Sequence, residues 1–122
     1  MTPLVSVIIV NLNGLHLLGD CLGSLEGQGF RDFEIIFVDN GSTDGSVDFV
    51  KDKYPEIRVI ENNRNLGFGA GNNSGIKSAK GDYIALLNND AVAHRDWLME
   101  LVKATEEAPQ GFGMWASKIL FK

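Results

Sequence analysis

Cysteine is nearly absent from this sequence: the single thiol, Cys21, has no partner for an internal disulfide, so the fold is held together without covalent cross-links. Cys21 stands with Leu18, Leu22 and Leu25 at helical spacing, which reads as a small buried hydrophobe in preference to a nucleophile. Long hydrophobic runs are missing as well. No segment approaches the ~20 consecutive apolar residues of a membrane span. The start, Met1-Thr2-Pro3-Leu4-Val5, lacks the cationic stretch, apolar core and small-residue cleavage site of a secretory signal. The expected location is therefore cytoplasmic, and the acceptor-like triplets at Asn40 and Asn72 carry no glycosylation meaning there. Basic residues are in deficit: 11 Lys and Arg against 16 Asp and Glu leave a net charge of -5 and no field for nucleic acid. A phosphorylated ligand must then be held locally, by backbone amides, polar side chains or a metal. Internal repeats and low-complexity linkers are also lacking, so no domain boundary is visible.

What is present fits one soluble domain with a real core, since 44% of the 122 residues are hydrophobic and 22% charged. Val5 to Val10 is a β-branched run closed by Asn11-Leu12-Asn13-Gly14, and Leu15, Leu18, Cys21, Leu22 and Leu25 follow at helical spacing. Phe33 to Val38 reads as a second buried strand. Ser42, Thr43 and Asp44 offer caps to a helix carrying Val47, Phe49 and Val50, and Asp44 reads as a cap in preference to a ligand contact. Ile57 to Ile60 is a short third strand, Gly67 to Ala79 a glycine-rich entry into a helix, and Tyr83 to Leu87 a fourth, buried strand. Trp97, Leu98, Leu101 and Val102 form the apolar face of another helix with Asp96 near its start, and Phe112 to Phe121 reads as a further strand. This alternation predicts an α/β fold, Rossmann-like, with a mainly parallel sheet and helices on both faces. With no helix to cover the last strand, the chain is expected to be the front half of something longer.

Chemistry concentrates where strands end. Tyr83-Ile84-Ala85-Leu86-Leu87 gives way abruptly to Asn88-Asn89-Asp90, and alternation along a strand would point Asn88 and Asp90 to one spot just beyond it. Ligands of open α/β sheets bind at that edge. A carboxylate there suits a hard divalent cation, and a cation suits phosphates. Asp39 ends the second strand at the same edge, where its carboxylate can accept the N3-H of uracil or thymine while Gly41 permits the turn that clears room for a base. The alternative is an Asx turn in which Asp39 bonds only neighbouring amides. Glu61-Asn62-Asn63-Arg64-Asn65-Leu66-Gly67-Phe68-Gly69-Ala70-Gly71-Asn72-Asn73-Ser74-Gly75-Ile76 resembles a loop that presents amides to an anion. Asn72 stands where a dinucleotide fingerprint needs its third glycine, although Asp90 follows at a ribose-binding distance, so a nicotinamide-binding reading stays open. His16 on the first helix and His94 after the strand-end motif read as surface residues. Trp97 and Trp115 read as core.

Taken in order, Val5-Ser6-Val7-Ile8-Ile9-Val10-Asn11, Phe37-Val38-Asp39-Asn40-Gly41-Ser42-Thr43-Asp44, Asn65-Leu66-Gly67 through Asn73 and Gly75, and Gly81-Asp82-Tyr83 leading into Leu87-Asn88-Asn89-Asp90 resemble glycosyltransferase family 2 over almost the whole chain. The resemblance implies a GT-A fold in which residues 1–122 are the nucleotide-sugar-binding half, ending before the acceptor half. It implies that Val10, Asn11 and Asn13 line the nucleotide pocket and that Asp39 contacts the pyrimidine. Asn65, Gly67, Asn72, Asn73, Asn88 and Asn89 complete the donor site, and Asp90, with Asn88, binds the Mg2+ or Mn2+ that bridges the diphosphate. Implied also are inversion at the anomeric carbon, a saccharide or lipid-linked acceptor, a part in cell-surface polysaccharide synthesis, and a general base beyond Lys122, so that no catalytic residue is assigned within this chain. The family's Asp-x-Asp appears as Asn88-Asn89-Asp90, which predicts weaker metal binding because an amide oxygen brings no charge. An arginine common before the second asparagine of the glycine loop is replaced by Asn72. Asn65-Leu66-Gly67-Phe68 and Leu87-Asn88-Asn89-Asp90 are similar to the rhamnosyltransferase subgroup, which implies a dTDP-sugar; a UDP-sugar is the other candidate. Two further classes stay open: a nucleotidyltransferase or NAD-binding domain, and a non-catalytic nucleotide-binding or interaction module.

Overall fold

The structure, a computed structural model, describes residues 2–107 and 120–121. The four expected strands form one parallel sheet: β1 (Val5–Asn11), β2 (Phe33–Asp39), β3 (Arg58–Glu61) and β4 (Tyr83–Leu86), in the order β3-β2-β1-β4. Helices α1 (Leu15–Glu26), α2 (Ser46–Lys53), α3 (Phe68–Ser78) and α4 (Trp97–Glu107) alternate with them. Crossover helices are what parallel neighbours require. β1 is central because its residues are apolar on both sides: Val7, Ile8 and Ile9 are all fully buried. Its register against β2 runs from Val5 opposite Phe33 to Asn11 opposite Asp39, so the two polar strand ends arrive side by side.

One face of the sheet carries the larger core. Val5, Val7, Ile9 and Phe37 meet Leu18, Cys21, Leu22 and Leu25 of α1, Val50 of α2, and Trp97, Leu98 and Val102 of α4. Each such side chain stabilises the fold by roughly 1.5–3 kcal/mol when fully buried. The expectation that Cys21 and Trp97 belong to the core is met, and Trp115 lies outside the described residues. The other face is smaller: Ile8, Ile36 and Val38 pack with Val10, Ile60 and Ala79. Helix α3 lies directly on this face because two glycines one turn apart leave room. A Cβ on Gly75 would stand 2.6 Å from Cγ2 of Ile8, and one on Gly71 would stand 2.8 Å from Cγ1 of Val10. Both glycines therefore serve close helix–sheet packing.

Two sequence expectations need correction. β4 is an edge strand, pairing among the described residues only with β1, and Ile84 and Leu86 are exposed where a buried strand was expected. The apolar run is the same in either case; which neighbours flank it is decided by topology. β4 also ends at Leu86, one residue early, and Asn89-Asp90 lie in a turn. A short strand β5 (Ala91–Val92), unforeseen, pairs antiparallel with β6 (Leu120–Phe121). The rest of the expected strand from Phe112 lies outside the described residues.

At the amino-terminal ends of the strands, Glu34 anchors a polar cluster. It accepts hydrogen bonds from Ser6 Oγ at 2.5 Å and from the Lys80 N–H at 2.7 Å, and Arg58 Nη2 stands 3.6 Å away. Burial pushes its carboxyl upward, but these hydrogen bonds and the Arg58 and Lys80 charges outweigh it and leave the group below the usual carboxylate range. A carboxyl that is more acidic in the folded state contributes stability in full above its unfolded pKa, and that contribution is lost as pH falls through the folded value. Glu34→Gln should therefore cost about 1–2 kcal/mol at pH 7 and much less near pH 3. Urea titrations of both proteins at the two pH values would reveal it; an equal deficit at both would mean the charge contributes nothing.

Candidate functional site

The carboxyl ends of β1, β2 and β4 meet at one edge of the sheet, which is where the sequence had placed its polar residues. Asn11, the last residue of β1, is only 1% exposed, and Asp39, the last of β2, only 2%. Buried polar groups at these levels must find partners inside the protein, and both do. Asp39 Oδ1 accepts from Asn11 Nδ2 at 3.1 Å and from Ser42 Oγ at 2.7 Å. Its Oδ2 accepts from the N–H groups of Gly41 at 3.1 Å and Ser42 at 2.8 Å. The Asx turn weighed from the sequence is thus present. Four donors occupy the acceptor capacity of one carboxylate, so a base reaching Asp39 has to displace or share one of them.

Ser42, expected as a helix cap, is instead a hub of the site, the cap of α2 being Gly45. Besides its bond to Asp39, its hydroxyl accepts from Asn11 Nδ2 at 3.2 Å and from the Asn13 N–H at 2.8 Å. Asn13, exposed and in the left-handed region at φ 51°, returns the contact by accepting the Thr43 N–H at 2.8 Å. The loops after β1 and β2 are therefore stitched together. Asp44 extends the stitching: Oδ2 accepts the first N–H of α1, from Leu15, at 2.9 Å, while Oδ1 accepts the Ser46 N–H at 3.0 Å and the Ser46 hydroxyl. The N-cap of α2 is Gly45, not Asp44 as expected; from one residue earlier, the Asp44 carboxylate instead accepts the first N–H of both helices. Burial would raise its pKa, yet the bonds from Ser46 and Leu15 lower it overall.

A second tier joins β2 to the glycine loop. Asn40 Oδ1 accepts from Asn62 Nδ2 at 2.9 Å, and Asn40 Nδ2 donates to the Gly67 carbonyl at 3.2 Å. Above it, the backbone of Arg64 crosses Gly41 so closely that a Cβ would lie 3.1 Å from it, and Gly41 sits at φ +94°. Glycine suits both demands. Asn65 accepts the Gly67 N–H at 2.9 Å, which shapes the entry to α3. Gly67 to Ala70 are exposed, and no acidic residue sits in the first turn of α3. Asn72 is buried on α3 and Asn73 exposed, and among the described residues neither is hydrogen-bonded to Asn11, Asp39 or Asp90. Val10 is half-buried beside Gly71.

Asn88-Asn89-Asp90 closes the site from the β4 side. Because the segment turns, with the Ala91 N–H bonded to the Asn88 carbonyl at 3.1 Å, strand alternation does not govern where Asn88 and Asp90 point. The Asn88 carbonyl also accepts from Cys21 Sγ at 3.6 Å. Burial and then the nearby Asp90 charge push the Cys21 thiol up to about 12, so it stays protonated and is no nucleophile. Asn89 turns inward and donates from Nδ2 to Asn11 Oδ1 at 2.9 Å. Gly14 borders that contact: a Cβ there would be 2.5 Å from each of the two bonded atoms. The side chains of Asn88 and Asp90 are exposed. Among the described residues no three His, Cys, Asp or Glu side chains gather as a preformed metal cage. Two exposed oxygen donors do fit a hard cation that arrives with phosphate and water oxygens, as Mg2+ commonly does. His94 lies in the turn before α4, where Nδ1 accepts the Asp96 N–H at 3.2 Å, and His16 is exposed on α1.

Comparison with known proteins gives the following. The sequence model described as Glycosyl transferase family 2 matches residues 6–116. The poly(ribitol-phosphate) beta-glucosyltransferase of Bacillus spizizenii is 42% identical over 92 residues, a match spanning 70% of this chain and 14% of that protein. Among solved structures, S. aureus TarS 1-349 superposes with a TM-score of 0.78 at 26% identity, covering 85% of this chain and 32% of that one. The mannosyltransferase PcManGT from Pyrobaculum calidifontis, in complex with GDP-Man and Mn2+, gives 0.76 at 26% identity over 84% of this chain and 32% of that one. The chain thus spans a third or less of each of these proteins.

Proposed function

The chain belongs to glycosyl transferase family 2, and we propose that it is the donor-binding half of an inverting glycosyltransferase that takes its sugar from a nucleoside diphosphate. The observation that carries this reading is the convergence of Asn11, Asp39 and the Asn88-Asn89-Asp90 turn at the carboxyl edge of a parallel sheet, the usual ligand crevice of such folds. Asp39, Asn11, Asn13 and Val10 form the base end of the pocket. Asn65, Gly67, Asn72 and Asn73 form the side made by the glycine loop and α3, whose exposed, acid-free amino terminus favours an anion. Asn88, Asn89 and Asp90 form the diphosphate end.

Asp90, assisted by Asn88, is the site for Mg2+ or Mn2+. A divalent cation bound there supplies charge to the departing diphosphate. The protein's own residues orient the donor: the turn after β4 fixes the diphosphate end, and the Asp39 loop fixes the base end. Mn2+ in the Pyrobaculum relative supports the metal, and its GDP-Man supports a nucleotide sugar as the ligand class. The general base that deprotonates the acceptor hydroxyl belongs to a part of the protein following Lys122, consistent with the greater length of the matched proteins. The acceptor is a saccharide or a lipid-linked glycan of a cell-surface polymer, a reading supported by the name of the Bacillus relative. No helix among the described residues is long and apolar enough to cross a membrane.

A pyrimidine donor, dTDP- or UDP-linked, is the finer proposal, and dTDP-rhamnose fits the subgroup motif. Uracil and thymine offer an N3-H to Asp39, whereas cytosine presents an acceptor. UDP and dTDP should therefore compete with each other and bind about 10-fold more tightly than CDP, about 1.4 kcal/mol, with the preference shrinking in Asp39→Asn. Competition calorimetry in Mn2+ decides it. A domain that ranks CDP or ADP above both loses the Asp39–base contact.

A further inference from the structure

Asn11 occupies a position that a residue merely lining a pocket would not need. It is 1% exposed, and both ends of its amide are engaged inside the protein. Nδ2 donates to Asp39 Oδ1 at 3.1 Å and to Ser42 Oγ at 3.2 Å, while Oδ1 accepts from Asn89 Nδ2 at 2.9 Å. The orientation is dictated by the partners. A flipped amide would set oxygen against the Asp39 carboxylate and nitrogen against the Asn89 nitrogen, losing both bonds. Asn11 and Asp39 lie 28 residues apart in sequence, and Asn11 and Asn89 lie 78 apart. One planar group therefore spans from the loop after β2 to the turn after β4. Glycine is required at position 14 for this contact: a Cβ there would stand 2.5 Å from each of the two bonded atoms, in the space the amides occupy.

We propose that Asn11 is a positioning residue: its amide locks the Asn88-Asn89-Asp90 turn to Asp39, so that the two ends of the donor site are held at a fixed separation. The role rests on the donor-binding reading above, but the lock exists without ligand and is testable without it. Asn89 then has a defined share in the same device. It holds the turn from inside, which leaves its neighbours Asn88 and Asp90 free to face outward toward a cation and its phosphates. An exposed turn with no such internal tether would sample many orientations, and each added orientation dilutes the one that binds.

The donor and acceptor pattern suggests its own test. Asn11→Asp places a carboxylate against Asp39 Oδ1 and should break the link. Combining it with Asp39→Asn restores every bond in reverse: the new amide at position 39 donates to the new carboxylate at 11, its oxygen keeps the Gly41 and Ser42 N–H groups, the Ser42 hydroxyl rotates to donate to position 11, and the Asn89 amide still donates there. Backbone amide resonances of residues 88–91 in the ligand-free protein read the turn directly. They should move in Asn11→Asp and return to the parent positions in the double variant. Mn2+-dependent UDP affinity should fall at least 10-fold in Asn11→Asp; the double variant lacks the Asp39 carboxylate proposed to meet the base, so its restored lock is read from the resonances alone. Should Asn11→Asp fail to fold, Asn89→Ala removes the half-buried far end of the lock, and hydrogen exchange at the Ala91 N–H should accelerate at least 10-fold. Unmoved resonances in Asn11→Asp, a double variant displaced as far as the single one, or unchanged exchange in Asn89→Ala would each overturn the proposal. Loss of nucleotide binding in the parent protein, with the resonance pattern as expected, would instead count against the donor-binding reading alone.

Discussion

Asp90→Ala is expected to abolish the metal-dependent part of nucleoside diphosphate binding while leaving the fold intact. Asp90 is the only anionic side chain in the turn after β4, and it is exposed, so its removal leaves no cavity and no buried partner unsatisfied. Its charge nevertheless reaches the buried Cys21 thiol in the middle of α1, whose Sγ donates to the Asn88 carbonyl. A hard cation that takes most of its ligands from phosphate and water still depends on the one protein carboxylate present. Affinity for UDP in Mn2+ should drop about 100-fold, about 2.8 kcal/mol, to the value the parent shows in EDTA. Calorimetry of both proteins with Mn2+ and with EDTA, alongside thermal melts, makes the comparison. Equal Mn2+-dependent affinity in the two would remove Asp90 from the metal site. Asn88→Asp adds a second carboxylate to the turn and should tighten Mn2+ binding if Asn88 faces the ion; an unchanged affinity would assign the metal to Asp90 alone.

The largest effect on stability is expected at Gly81, far from the site. This glycine precedes β4 and lies against the backbone of β1, where a Cβ would stand 2.7 Å from the Ser6 nitrogen and 2.8 Å from both Ser6 Oγ and the Val5 carbonyl carbon. Side chains can rotate out of such contacts, but β1 is fixed by hydrogen bonds to β2 on one side and β4 on the other. The Gly81 N–H also donates to Ser6 Oγ at 2.8 Å, and Ser6 in turn holds Glu34. Gly81→Ala should therefore cost about 3 kcal/mol, the upper end for overpacking, and lower the melting temperature by roughly 10–15 °C. Gly19 on α1 is the control, because it is exposed with nothing within 4 Å of its virtual Cβ. Gly19→Ala should instead add about 0.5–1 kcal/mol through helix propensity alone. If both variants melt alike, the close approach at Gly81 is not a constraint on the fold.

Strands β1 and β2, helices α1 and α4 and the side of the sheet on which the site lies are legible in the sequence because their signals are local. A β-branched run such as Val5 to Val10, or leucines spaced three and four apart in Leu15 to Leu25, fixes the element type from neighbours within a few residues. Asp39 and Asp90 are found for the same reason: each ends an apolar run, and parallel strands all end at one edge. What local pattern cannot carry is who stands beside whom. The run Tyr83 to Leu87 looks alike whether its strand is central or at the edge, and only the order β3-β2-β1-β4 exposes Ile84 and Leu86. Gly71 and Gly75 read as a phosphate loop until α3 is seen seated on Ile8 and Val10.

The division is sharpest at the site itself. The sequence alone determined that acids and amides would gather at the carboxyl edge of a parallel sheet, since that follows from composition and the period of each strand. What they do there follows from how the strands and loops pack against one another. Asn11 meets Asp39 because the β1–β2 register sets them opposite, and meets Asn89 because β4 ends early enough for the chain to turn back. Asp39 is already surrounded by four donors, and Asp44 accepts the first N–H of two helices at once. Hydrogen bonds act over about 3 Å in space, so partners 28 or 78 residues apart along the chain become partners only when packing brings their backbones together.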